Sequence, residues 1–167
     1  MKREKKFQES GFTLIEAMVS VVILSIALTA IMGLFTINIT SANLVRNNYI
    51  ASGLIQEGVE VVRNLRDADW HASRAFGSFG AGAPVSDGSY IVQWDSDQLT
   101  IFADTFLLRD PVSGLFSYDT GNNTLFKRKI DIVTVSLIEK RVTVTVSWDQ
   151  KGYPKSISAE EHLYDWK

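Results

Sequence analysis

The chain has no cysteine among its 167 residues. No disulfide framework and no thiolate metal site can therefore form. An extracytoplasmic location stays open, because disulfides are permitted there and not required. Histidine is scarce too: His71 and His162 stand far apart, with no pair of ligands at i,i+4. The sequence holds no G-x-S-x-G elbow and no P-loop. Gly77-Ser-Phe-Gly-Ala-Gly82 lacks the spacing of the dinucleotide fingerprint, and no strand precedes it. These absences argue against an enzyme and leave no cofactor to expect. A formal net charge of −2 points to no polyanionic partner.

Charge is also missing locally. From Ala17 to Ile37 run 21 residues without one charged side chain. At about 1.5 Å per residue, a helix of that length matches the hydrocarbon core of a bilayer. Its polar groups are only Ser20, Ser25, Thr29 and Thr36, so the run reads as a membrane segment. Lys2, Arg3, Lys5 and Lys6 in front of it outweigh Glu4 and Glu9. The positive-inside rule keeps that end cytoplasmic and sends the bulk of the chain across.

A cleaved secretory signal would need a small-residue site such as Ser25-Ile26-Ala27. The apolar run continues through Leu28, Ile31, Met32, Leu34 and Phe35, and cleavage there would leave a greasy stub. An uncleaved anchor suits the hydropathy better, yet neither explains Glu16. A carboxylate in a membrane helix is by default functional, costing up to about 3 kcal/mol near the centre. The plainer alternative is a first-turn glutamate at the interface, where the helix dipole favours it by about 0.3–1 kcal/mol.

Gly11-Phe12-Thr13-Leu14-Ile15-Glu16, extended through Ala17-Met18-Val19-Ser20-Val21-Val22-Ile23-Leu24, resembles the processing site of type IV pilins and pseudopilins. The resemblance implies that a prepilin peptidase cuts after Gly11 and that Phe12 becomes the N-methylated mature terminus. It further implies that Glu16 meets the terminal amine of a neighbouring subunit, fixing the register of assembly because an unpaired charge in low dielectric is costly. Ala17, Ser20, Ala27, Ala30 and Gly33 are the small residues that would let such helices approach closely. The implied partners are the peptidase, other pilin subunits through the helix, and indirectly an assembly platform and ATPase. A lipid bilayer would hold the chain before assembly. Major pilins often carry a proline near the Gly33 position, and this chain does not.

Beyond the apolar run the helical period continues, with Leu44, Ala51, Ile55, Val59 and Val62 in one stripe and Leu54, Val61 and Leu65 beside it. Arg63 and Asp67 fall at i,i+4, a spacing suited to an ion pair. One helix is expected from about Phe12 to about Leu65, ending in Asp67-Ala-Asp-Trp70. Residues 71–88, with Gly77, Gly80, Gly82, Pro84 and Gly88, read as a loop.

From Ser89 the period becomes two. Tyr90–Trp94, Phe106–Leu108, Leu115–Tyr118, Leu125–Val133, Val142–Trp148 and Ser156–Leu163 are strand-like. The turn signals are Asp110–Gly114, Asp119–Asn123 and Asp149–Gly152. The expected fold class is α+β: an antiparallel sheet of about four strands with a polar outer face, its apolar face covered by the second half of the helix. The division is then a leader at 1–11, a transmembrane and assembly half-helix at 12–40, an amphipathic half-helix at 41–70, a loop at 71–88 and the sheet at 89–167.

Tyr90–Trp94, Phe126–Ile130, the Val142–Trp148 strand, Leu163–Trp166 and Ala51–Arg66 resemble PilV-type minor pilins, with less specific motifs than the N-terminal one. Asp95 and Asp97 with Asp104 or Asp110 are conceivable calcium ligands, but solvated turn carboxylates suit their spacing better, and no metal is expected. Lys127, Arg128, Lys129, Lys140, Arg141, Lys151 and Lys155, near Phe126 and Trp148, raise single-stranded nucleic acid as a partner. A solvated strand face that discourages edge pairing is the preferred reading.

The favoured function is a minor, filament-modifying or priming subunit of a type IV pilus or pilus-like filament. A pseudopilin of a type II secretion or competence DNA-uptake system is the alternative, and a signal-anchored extracytoplasmic binding domain the more distant one. The expected location is the cytoplasmic membrane, single-pass, and then the pilus surface.

Overall fold

A computed structural model describes residues 11–165; the basic leader residues before Gly11, and Trp166 and Lys167, lie outside the described residues. The chain divides into two units, one up to Asn43 and one from Leu44 onward. A single helix, α1 (Leu14–His71), contributes to both. Its start is set by Thr13, whose Oγ1 accepts the Glu16 amide at 3.3 Å and whose carbonyl accepts the Ala17 amide. That is an N-cap, which satisfies one of the orphan donors at a helix terminus.

In the first unit no described residue is buried. Its hydroxyls are nonetheless satisfied: Ser20, Ser25, Thr29 and Thr36 each donate to the carbonyl four residues back. Polar groups bonded within their own helix suit a lipid environment, where water cannot serve them. Among the described residues, this is the helix long and apolar enough to cross a membrane.

In the second unit α1 lies on a five-stranded antiparallel sheet. Its order is β2 (Thr100–Ile101), β1 (Gly88–Ile91), β6 (Phe126–Ser136), β7 (Glu139–Gln150) and β8 (Tyr153–Tyr164). A second sheet joins β4 (Phe116–Ser117), β3 (Leu108–Arg109) and β5 (Asn122–Asn123). The main sheet thus has five strands where about four were expected, and the runs around Asp110–Gly114 pair in the smaller sheet. There the Asp110 carboxylate accepts the Val112 and Ser113 amides and closes the turn.

Alternation decides which face meets the helix. Val142, Val144, Val146 and Trp148 of β7 are buried with Phe126, Ile130 and Ile132 of β6. Opposite them are Ala51, Leu54, Ile55, Val61, Val62 and Leu65 of α1. Each large apolar side chain removed from water contributes about 1.5–3 kcal/mol. Gly58 permits the close approach: a Cβ there would sit 3.0 Å from Val144 Cγ1 and 3.2 Å from Arg128 Cδ. Leu44, expected in the buried stripe, is exposed, and Val59 is half-buried. The β7–β8 hairpin turns at Lys151 and Gly152, both at positive φ (55° and 83°), as a two-residue primed turn requires.

Two expectations about charge are corrected. Arg63 does not pair with Asp67: its Nε donates to Glu161 Oε1 of β8 at 2.6 Å, while Asp67 takes Arg66 at 2.8 Å. The sheet edge offers Arg63 a carboxylate that helix spacing alone could not reveal. The basic residues of the sheet are not one solvated face either. Arg128 is 1% exposed and Lys140 7%, because both alternate onto the helix side of the sheet.

Candidate functional site

Gly11, Phe12 and Thr13 precede the helix as exposed chain outside any helix or strand, with Phe12 73% exposed. Glu16 lies in the first turn, where the N-terminal dipole favours a carboxylate. Thr13-Leu-Ile-Glu16 has the spacing of a capping box, and its forward half is present as the Glu16 amide bond to Thr13. The carboxylate stands on open helix surface four residues after the Gly11–Phe12 bond. Ala17, Ser20 and Ala27 fall within about 80° of one another around the axis, whereas Gly33 lies about 160° from Ala17. Ala30 lies between Ala27 and Gly33 in this progression, so the five small residues wind around the helix. A Cβ on Gly33 would meet nothing within 4 Å in the single chain.

In the second unit the most deeply placed charge is Arg128. Its Nη1 donates to Glu57 Oε1 at 2.9 Å and to the Leu54 carbonyl at 3.0 Å, and its Nη2 to the Val92 carbonyl. Tyr118 donates its hydroxyl to the Arg128 carbonyl, and burial raises its pKa above the usual phenol value. Near the helix end, Asp69 is buried and accepts from Arg74 Nη1 at 2.9 Å and from the Gly80 amide at 3.2 Å, pinning the following loop. Asp87 accepts from the hydroxyl and amide of Thr134, and these bonds, the hydroxyl first, hold its pKa below the usual carboxylate value.

Of the four conceivable calcium ligands, Asp95 and Asp97 are exposed, and the other two are otherwise engaged. Asp104 takes Lys127 Nζ at 2.8 Å, and Asp110 serves its own turn, which lowers its pKa through the Val112 and then the Ser113 amide. Among the described residues no three His, Asp or Glu side chains are grouped to hold a metal. Of the seven basic residues raised as a nucleic-acid surface, Lys151 and Lys155 are exposed at or just after the β7–β8 turn and the other five are paired or buried. Lys127, Lys129 and Arg141 pair with Asp104, Asp131 and Glu160, and Arg128 and Lys140 are buried.

The exposed N-terminal half-helix is, among the described residues, an apolar surface that the chain's own fold leaves uncovered. Residues 6–32 match the family model for the prokaryotic N-terminal methylation motif. The chain carries that motif. It spans Gly11, Phe12 and Glu16 and supports a type IV pilin-like protein, processed by a prepilin peptidase and assembling with other pilins. Together with the apolar helix, the motif is consistent with membrane anchoring followed by a place on the pilus surface. No curated protein and no solved structure matches the chain.

Proposed function

We propose that the chain is a minor, filament-modifying or priming subunit of a type IV pilus or pilus-like filament. It is cut after Gly11, methylated at Phe12 and assembled through its N-terminal helix. The observation that carries this reading is the coincidence of the methylation motif with a half-helix that is apolar, internally hydrogen-bonded and unburied throughout. Such a surface is stable in lipid, or among like helices after extraction. Within a bundle, Glu16 pairs with the amine of a neighbour and sets the axial offset. The minor role is supported by the PilV-type likeness of Ala51–Arg66 and of the β6 and β7 strands, and by the lack of proline in the helix.

Filaments sheared from the native host test the proposal. The chain is expected in the sheared fraction at a small fraction of the main subunit, and in the membrane fraction when the prepilin peptidase is deleted. Confinement to the membrane in cells that display filaments would overturn the filament role.

A further inference from the structure

The described arginines fall into two groups. Arg63, Arg66, Arg74, Arg128 and Arg141 each pair with a carboxylate. Arg46 and Arg109 pair with none among the described residues, and these two line the same cleft, of about 430 Å³, within the second unit. Arg46 comes from α1 and Arg109 from β3. The cleft also presents Asn123 of β5 and an apolar lining that includes Phe116 and Phe126.

Arg109 is exposed, its backbone is closely approached by Gly121, and its Nε donates to the Gly114 carbonyl at 3.4 Å. A Cβ on Gly121 would lie 2.6 Å from the Arg109 carbonyl carbon, and one on Gly114 would lie 3.3 Å from Arg109 Nη2. Both glycines have positive φ, at 130° and 76°; a side chain at Gly121 would collide with the Arg109 backbone, whereas one at Gly114 would only press on the end of its guanidinium. On the other wall, Asn47 is tied to Gln150 at 2.7 Å, anchoring the helix beside Arg46 to the β7–β8 hairpin.

We propose that this cleft binds a phosphate ester. Guanidinium forks recognise oxyanions by paired, charge-assisted hydrogen bonds. One fork satisfies a planar carboxylate; two forks arriving from different elements suit the several acceptor directions of a phosphate, and the apolar lining suits its organic part. The shared chemistry admits a lipid headgroup or a soluble phosphate ester. Arg46 is the first charged residue after Glu16 along the chain, so it is the first guanidinium to follow the apolar run, which favours the lipid. That source rests on the membrane-anchored reading above, whereas binding of a soluble ester does not.

Native mass spectrometry of the full chain in neutral detergent tests the site. The probes are phosphatidylglycerol, diacylglycerol with the same acyl chains but no phosphate, and soluble glycerol 3-phosphate. Phosphatidylglycerol should be retained about tenfold over diacylglycerol, and R46Q/R109Q should lose that preference. K129Q/R141Q, which removes equal charge from the outer sheet face, should keep it. Retention of glycerol phosphate with the same arginine dependence assigns the site to soluble esters as well; retention of the lipid alone assigns it to headgroups. No preference for either phosphate probe in the unmodified chain overturns the proposal, as does a preference that survives R46Q/R109Q. Should the double variant misfold, R46Q alone, at an exposed helix position, decides between the same two outcomes. Processing at Gly11 is read separately from intact mass, so failure of the cleft and failure of the filament reading remain distinct.

Discussion

Arg128 of β6 and Glu57 of α1 form an ion pair at 2.9 Å in which the arginine side chain is wholly buried and the glutamate side chain is 27% exposed. The asymmetry predicts unequal costs. Glu57→Ala strands a buried guanidinium and should destabilise the full chain by about 3 kcal/mol or more. Arg128→Met leaves a carboxylate that water can reach and fills the space with apolar volume, so its cost should be smaller. Thermal or denaturant unfolding in detergent ranks the two; a larger loss for Arg128→Met would show that the bonds to the Leu54 and Val92 carbonyls matter more than the pair.

Two helix glycines should respond in opposite directions to the same change. Gly58→Ala pushes a methyl against Val144 and Arg128 and should cost about 1–3 kcal/mol as overpacking. Gly53→Ala meets nothing within 4 Å and should stabilise by up to about 1 kcal/mol through helix propensity. Equal effects at both sites would contradict the close helix–sheet contact.

His162 should titrate above 6.5, the ordinary value for the group, because Glu139 at 2.6 Å and then Glu160 at 3.3 Å stabilise its imidazolium. A raised folded-state pKa means that its contribution to stability is complete below about 6.5 and is lost as pH rises through the folded value. Proton NMR of the His162 ring measures the midpoint, and Glu139→Gln should lower it. A midpoint at or below the ordinary value would mean that these bonds do not persist in solution.

For Glu16, capping and assembly can be separated by charge. Glu16→Ala should leave expression and membrane insertion intact but reduce incorporation into filaments. Glu16→Gln keeps a hydrogen-bonding group at the capping-box position and removes the charge. If the charge pairs with a neighbour's amine, Glu16→Gln should be as defective as Glu16→Ala in filament yield. Normal yield for the glutamine variant would reduce Glu16 to a helix-capping residue.

What can be read from the sequence is what is local and periodic. The methylation motif, the apolar run and the alternation of Val142–Trp148 each declare themselves within a few turns or one strand, and with them the α+β architecture. Arg128 is easily misread because three consecutive basic residues, Lys127 to Lys129, look like a solvated patch. The alternation Phe126, Arg128, Ile130, Ile132 already points the arginine inward, but its acceptors, Glu57 and the Leu54 and Val92 carbonyls, are more than 30 residues away. Asp69 escapes notice for a similar reason: in the sequence it is one acid of a helix end, and only the folded loop brings the Gly80 amide to it. That Arg46 and Arg109 have no carboxylate partner among the described residues is likewise a property of the folded chain, visible once every other described arginine has its carboxylate.

The intact mass and N-terminal sequence of the protein from membranes of its native host test the central claim most directly. The account predicts a chain that begins at Phe12 and carries an added methyl group. A chain that still begins at Met1 in cells with an active prepilin peptidase, or one cut near Ala27, would contradict it.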